Sequence, residues 1–298
     1  MTTVLITGIN GFTGCYLAEE LRSAGYSLVG LSSTETIQNA SSVNYVCNLL
    51  DHEKLIDILT EVKPDVVVHL AAVAFVAHGD VEAIYHTNVV GTRNLLDAII
   101  KSQHIPRSVL LASSANIYGN ALIEPIDEKA SAAPANDYAV SKLSMEYMAR
   151  LWLDRLPITV VRPFNYTGAG QSLNFLIPKI VDHFKRRAPI LELGNLDVVR
   201  DFSDVRSVTQ CYRLLIESRT QGEVFNVCSG QGHSLLDVLQ MMREISGHHP
   251  EIKVNPAFVR ANEVHRLVGS SAKLDAVIGK VPVIPLKNTL QWMFSHRL

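Results

Sequence analysis

The chain predicts an α/β protein built on a doubly wound parallel sheet, and three observations carry that prediction. Short β-branched runs alternate with amphipathic helical stretches through the first half. The runs are apolar along their whole length, and a glycine-rich turn joins the first of them to the first helix. A strand that is apolar at successive positions is covered on both faces, as the strands of a parallel sheet are. Strand–helix alternation with such strands winds into an open sheet with right-handed crossovers and helices on either face.

The elements follow in order. VLIT at 4–7 reads as a strand and 12–24 as a helix; 27–31 and 43–47 read as strands and 49–62 as a helix. VVVHL at 66–70 is a strand, 81–102 carries a long helical pattern, and SVLLA at 108–112 and residues 158–162 are further strands. Beyond 162 the rhythm changes. Residues 163–200 are richer in Gly, Pro and Asn and hold Lys185, Arg186 and Arg187; a strand over 223–227 and a helix over 235–245 follow. A polar region with Pro250, Pro256, Pro282 and Pro285 comes last. This predicts a Rossmann-type domain over 1–165, rejoined by about 201–228, and a smaller C-terminal substrate-binding lobe from 166–200 and 229–298.

With 298 residues, 47% hydrophobic and 19% charged, the chain has enough apolar material for a substantial core. A formal charge of −2 provides no basic field for nucleic acid. The most apolar segment, 66–77, contains His69 and is far short of the roughly 20 residues a bilayer span needs. The first residues run straight into a strand, which predicts no secretory leader, and the four cysteines are scattered with no CxxC pair. Together these predict a cytoplasmic protein with reduced thiols and no membrane or nucleic-acid partner. His69, His78 and His86 lack a metal-ligand spacing, so no metal is expected.

TGINGFTG at 7–14 places Gly8, Gly11 and Gly14 between the first strand and the first helix. Glycine lets the backbone turn tightly and come close to a pyrophosphate. The helix start then offers unpaired N–H groups and the positive end of its dipole. The second strand ends in Ser32 and Ser33 with no carboxylate, so nothing there repels a 2′-phosphate. The expectation is NADP(H), with NAD(H) left open.

Tyr138 and Lys142 stand four residues apart, on one face of a helix. A phenol titrating near pH ~10 is a poor proton-transfer group at neutrality, and a neighbouring cation draws it down. Ser113 and Ser114 follow a predicted strand at its C-terminal end, the edge where doubly wound sheets bind ligands. A hydroxyl there can hold a carbonyl oxygen beside the tyrosine.

With HLAA at 69–72, TNVVGTRNLL at 87–96, SSANIYG at 113–119, YAVSK at 138–142 and RPFNYTGAGQ at 162–171, the chain resembles the extended short-chain dehydrogenase/reductase family. The resemblance implies Ser114, Tyr138 and Lys142 as the catalytic set. It implies cofactor contacts at Gly8, Asn10, Gly11, Phe12, Thr13, Gly14, Ser32, Ser33, Asn48, Leu49, Leu70, Ala71, Ala72, Asn88, Tyr138, Lys142 and Pro163. Asn48 and Leu49 fall where the family usually carries Asp-Leu near adenine.

The second half, through GNLDVVRDFSDVRSV at 194–208, VFNVCSG at 224–230 and RANEVHRLVGSSAKL at 260–274, resembles members acting on GDP-6-deoxyhexoses. The implied reaction is NAD(P)H-dependent reduction of the C4 ketone of GDP-4-dehydro-6-deoxy-D-mannose to a GDP-6-deoxyhexose of GDP-D-rhamnose type. A GDP-6-deoxytalose-forming reductase and a nucleotide-sugar epimerase are the alternatives. Implied substrate contacts are Ser114, Asn116, Tyr138, Asn165, Lys179, Arg200, Arg260 and Glu263. Related 4,6-dehydratases need an acidic residue where Asn116 stands, and an amide cannot serve as that base. A dinucleotide sensor without catalysis would be expected to lose the Tyr138–Lys142 pair. Resemblance also implies a homodimer joined through the helices around 81–102 and 138–153.

Overall fold

Seven parallel strands form the central sheet of the computed structural model, which describes residues 1–34, 43–74, 80–258 and 264–296. Phe75, His78, Arg260 and Glu263 lie outside the described residues. In chain order the first elements are β1 (Thr3–Thr7), α1 (Phe12–Ser23), β2 (Ser27–Ser32), β3 (Val43–Val46), α2 (His52–Val62) and β4 (Val66–His69). Then come α3 (Val81–Tyr85), α4 (Thr92–Lys101), β5 (Ser108–Ala112), α5 (Asp137–Arg150), β6 (Ile158–Pro163) and β7 (Asn165–Thr167). The remainder holds α6 (Leu176–Lys185), β8 (Ile190–Leu193), β9 (Val199–Asp204), α7 (Val205–Ser218), β10 (Val224–Val227), β11 (Gly232–Ser234) and α8 (Leu235–Ser246). It ends with β12 (Glu251–Val254), β13 (Arg266–Leu267), α9 (Ala272–Ile278) and α10 (Leu286–Ser295).

The central order is β3-β2-β1-β4-β5-β6-β10. Val4 to Ile6, Val66 to Val68 and Val109 to Leu111 are fully or almost fully buried, because helices cover both faces. On one face Leu55, Leu95, Leu96, Met145 and Trp152 pack from α2, α4, α5 and the turn after it. On the other, Leu17, Leu21, Val208, Tyr212 and Leu215 pack from α1 and α7. The chain leaves β1 for β2 on one side and returns to β4 on the other, which opens a crevice between the carboxyl ends of β1 and β4.

A second, four-stranded sheet has β9 at its centre, paired with β11, β13 and β7. It packs with α6, α8 and α10 around Ile180, Phe184, Phe202, Leu239 and Leu290. β8 and β12 make a separate parallel pair.

Two elements differ from expectation for visible reasons. The helix expected from 49 begins at His52, because the Asp51 carboxylate accepts the Lys54 N–H at 3.2 Å and caps it. The long helix expected over 81–102 contains a π-helical stretch, His86–Gly91, between α3 and α4. Such widened turns gather at functional sites, and this one carries the inward-facing Asn88, which is 1% exposed.

Candidate active site

The crevice is lined first by the glycine turn. Gly8 has φ +72°, and a Cβ there would stand 2.9 Å from the Ala71 nitrogen, so only glycine lets β1 and the end of β4 approach this closely. A Cβ on Gly14 would lie 2.3 Å from the Gly8 carbonyl oxygen. Gly11 caps α1 with no side chain, and no acidic residue occupies its first turn, so the helix presents bare N–H groups and positive dipole to the crevice. That arrangement fits the pyrophosphate of a dinucleotide. The buried Asn10 Oδ1 finds no partner among the described residues, a further group placed for a ligand.

Ser32 and Ser33 differ. Ser32 is buried, accepts from Asn10 Nδ2 at 3.1 Å and donates to the Thr34 carbonyl at 2.6 Å; Ser33 is exposed at the crevice rim. Farther along the rim the exposed Asn48 accepts the Leu50 N–H at 3.0 Å, and buried Leu49 packs beside Gly91. Phe12 stacks on Tyr166 with ring centroids 6.3 Å apart, and Thr13 Oγ1 hydrogen-bonds the Tyr166 phenol at 2.7 Å.

Helix α5 carries the groups expected to transfer a proton. Asn136 caps it by accepting the Ala139 N–H, and Tyr138, Lys142 and Glu146 then stand on successive turns. Lys142 is 4% exposed; its Nζ donates to the Ala112 carbonyl at 2.8 Å and lies 6.0 Å from the centre of the Tyr138 ring. Burial pulls the ammonium down to about 8, against the opposing charge of Glu146. The Tyr138 phenol moves the other way from the sequence expectation. Burial pushes it above its ordinary range, with Tyr166 adding to the rise and a hydrogen bond from Ser114 opposing it. Desolvation outweighs the cation four residues away.

Ser114 ends the β5 turn in extended conformation. Its hydroxyl oxygen accepts the Asn116 N–H at 3.2 Å, which turns its proton towards the Tyr138 side. Half-buried Asn116 therefore sits beside Ser114, which in turn meets Tyr138. Pro163 closes β6, next to the segment that bears Tyr166.

Sequence reasoning missed how these parts are tied together. His69, 1% exposed, is held near 3 by burial with help from the Lys142 charge, so its ring is neutral. The Ala71 N–H donates to Thr7 Oγ1 at 3.2 Å, and Thr7 in turn hydrogen-bonds His69 Nδ1 at 2.7 Å. His69 Nε2 meets Thr92 Oγ1 at 2.8 Å, and Thr92 donates to the Asn88 carbonyl at 2.8 Å. The Asn88 amide donates to the Val73 carbonyl and Ser141 Oγ, and Ser141 donates to the Tyr138 carbonyl at 2.8 Å. Since Thr92 spends its proton on Asn88, His69 carries its hydrogen on Nε2. One directed chain thus joins the loop after β4, holding Leu70, Ala71 and Ala72, to the helix bearing Tyr138. A histidine inside an apolar strand was the only signal of it in the sequence.

The expected substrate groups divide. Asn165 on β7 pairs with Phe202 of β9, the strand that also carries Arg200. Arg200 is half-buried and donates to the carbonyls of Val199 and His265 at 3.0 and 3.2 Å. Lys179 stands on α6 with its Nζ 4.2 Å from the centre of the Phe258 ring. Asn165 and Arg200 therefore share one small sheet, while Lys179 belongs to a helix packed on it.

The family profile described as GDP-mannose 4,6 dehydratase matches residues 5–293. GDP-6-deoxy-D-talose 4-dehydrogenase of Aggregatibacter actinomycetemcomitans is 36% identical over 99% of this chain and 98% of its own. GDP-6-deoxy-D-mannose reductase of Pseudomonas aeruginosa is 33% identical, with 98% and 96% covered. Among solved structures, a putative epimerase from Burkholderia cenocepacia superposes with a TM-score of 0.92 at 49% identity over 98% of this chain and 97% of that one. RMD from Pseudomonas aeruginosa, complexed with NADPH, superposes at 0.86 with 32% identity, covering 99% and 98%. Two full-length relatives above 30% identity, a profile spanning nearly every residue and a crevice shaped for a dinucleotide agree: the chain belongs to the GDP-mannose 4,6-dehydratase family of extended short-chain dehydrogenases/reductases.

Proposed function

We propose that the protein reduces the C4 ketone of a GDP-linked 4-dehydro-6-deoxyhexose, GDP-4-dehydro-6-deoxy-D-mannose, to a GDP-6-deoxyhexose of GDP-D-rhamnose type. The observation that carries this reading is the convergence of Ser114, Tyr138 and Lys142 beside an amide, Asn116, where a dehydratase needs an acid. Two relatives named as oxidoreductases of GDP-6-deoxyhexoses, one of them a 4-dehydrogenase, support the substrate class.

The crevice fits NADP(H), the ligand of the RMD structure, with NAD(H) as the second choice; Gly8, Gly11, Gly14 and Asn10 would hold it, and when bound it supplies the hydride. The chain's own residues do the rest. Tyr138, kept protonated at neutral pH by burial, is an acid ready to protonate the C4 oxygen as that oxygen gains charge. Ser114 donates to the same oxygen and stabilises the developing alkoxide. Lys142, an ammonium below about pH 8, stabilises the phenolate that Tyr138 becomes. Arg200 and Asn165, with Lys179, Arg260 and Glu263, are assigned to the nucleotide; an arginine matches a diphosphate in charge and in hydrogen-bond geometry.

We assign the dimer interface to α5 and the stretch before α4. Tyr147 and Leu151, one turn apart, are 57% and 77% exposed, and Val90 is 42% exposed. Large apolar groups in solvent on helices that touch one another suit a second copy.

The test is to incubate GDP-mannose with a separate 4,6-dehydratase, this protein and NADPH, and to identify the 6-deoxyhexose by NMR. A rhamnose-configured product supports the full reading. A talose-configured product retains the reductase and corrects its face selectivity. Formation of the 4-dehydro sugar from GDP-mannose by this protein alone overturns it.

A further inference from the structure

Behind Lys142 lies a buried ion pair that the mechanism does not use. Glu146 stands one turn farther along α5, 3% exposed, and Arg162 reaches it from β6. Arg162 Nε donates to Glu146 Oε1 at 3.0 Å and an Nη donates to Oε2 at 2.6 Å. The Ser113 hydroxyl also donates to Oε1, at 2.5 Å. The other Arg162 Nη donates to the Tyr118 phenol at 2.8 Å and to the Glu128 carbonyl at 3.3 Å. The Tyr118 hydroxyl donates to Asn226 Oδ1 at 2.8 Å, and the Asn226 backbone N–H donates to the Glu128 carboxylate at 2.7 Å. Every nitrogen of the Arg162 guanidinium and both Glu146 carboxylate oxygens meet a protein group.

The placement matters more than the pairing. Ser113 precedes Ser114, and Ala112, whose carbonyl receives Lys142 Nζ, precedes Ser113. The end of β5 is therefore stitched to α5 at two successive turns, by Lys142 to Ala112 and by Ser113 to Glu146. Arg162 locks the second stitch from β6, whose last residue is Pro163. The Ser113 N–H also donates to the Val161 carbonyl at 2.8 Å, so β6 holds the turn within the sheet while the two stitches fix its distance from the helix bearing Tyr138.

We infer that Glu146, clamped between Ser113 and Arg162, is a positioning residue that sets the spacing of Ser114 from Tyr138 and fixes a negative charge one turn from Lys142. This deepens the proposed reductase reading and rests on it. Productive geometry is intolerant of small displacements, so loosening the stitch should reduce turnover without weakening dinucleotide binding. The charged and titratable groups around the carboxylate are Lys142 on its own helix, Arg162 on β6, and Tyr118 and Glu128 from the segment between β5 and α5.

Two variants test it. Ser113→Ala removes the stitch and leaves the ion pair intact. It should lower kcat about tenfold while KM for NADPH and the melting temperature stay close to wild type. Glu146→Gln keeps the volume and can still accept from Ser113, but removes the charge beside Lys142. It should lower the pH midpoint for labelling of Lys142 by an amine-reactive reagent, read by peptide mass spectrometry without substrate. Unchanged kcat in Ser113→Ala overturns the positioning role, as does a kcat loss matched by an equal loss of NADPH affinity. An unmoved midpoint in folded Glu146→Gln overturns the tie to Lys142; if that variant does not fold, Ser113→Ala decides. A wild type with no ketone reduction would defeat the functional reading, whereas the labelling midpoint, measured without turnover, still judges the tie to Lys142.

Discussion

The candidate site groups of the two halves are held in different ways. In the doubly wound half, Thr7, His69, Asn88, Thr92, Ser113, Ser141, Lys142, Glu146 and Arg162 are all buried and every one is hydrogen-bonded. In the lobe around β9, Lys179 and Arg200 stand half-buried, near chain that donates or accepts through its backbone. A buried network that is fully satisfied has few alternative arrangements, and a half-exposed arginine has many. The difference teaches that the groups proposed for proton transfer are held to fine tolerance by the sheet, whereas those proposed for the nucleotide stand where they can adjust to a ligand.

Breaking the first half at its centre should have the largest effect. Tyr138→Phe removes the proton donor and should lower kcat by about 10²–10⁴, with NADPH affinity measured by fluorescence nearly unchanged. Retention of activity would remove Tyr138 from the mechanism.

The buried network should also make the protein acid-sensitive. His69 is lowered from an ordinary 6.5 to about 3 on folding. Its contribution is complete above pH 6.5 and is lost progressively as pH falls towards 3, because only the unfolded chain takes up the proton in that range. In the limit this is roughly 5 kcal/mol. Denaturant unfolding at pH 7 and pH 4.5 should show the loss, and His69→Gln should flatten the difference.

The lobe should behave otherwise. Arg200→Ala is expected to raise KM for the GDP-sugar by about tenfold, through loss of a charge-assisted contact, while kcat and the acid sensitivity remain those of the parent. An equal fall in kcat would place Arg200 with the tightly held half.

The smallest effect is a pH limb. Lys142 loses its charge above about 8, so turnover should fall as pH rises through that value. Tyr138, shifted upward, keeps its proton across the same range and does not produce this limb. Ser113→Ala, which leaves the charge of Glu146 in place, should keep the limb where it is.

Much of this was legible in the sequence. The strand runs, the glycine turn and the Tyr138–Lys142 spacing depend on residues close together in the chain, and local periodicity and φ requirements report them directly. Glu146 was visible too, as an acid four residues after Lys142, but a helix spacing does not say which face is buried. The direction of the Tyr138 shift was beyond reach, since spacing supplies the cation and only packing supplies the desolvation that outweighs it. The π-helical stretch at Asn88 was hidden for the same reason: its inward turn answers to Val73 and Ser141, 15 and 53 residues away.

The sequence by itself determined the doubly wound sheet, the dinucleotide turn, the tyrosine–lysine pair and the amide at 116, because each is written in neighbouring side chains. Tertiary structure alone decided that burial keeps Tyr138 protonated, that His69 is a neutral link between Thr7 and Thr92, and that Arg162 locks Glu146 behind Lys142. Those facts depend on groups brought together from different strands and helices, and on the exclusion of water from between them.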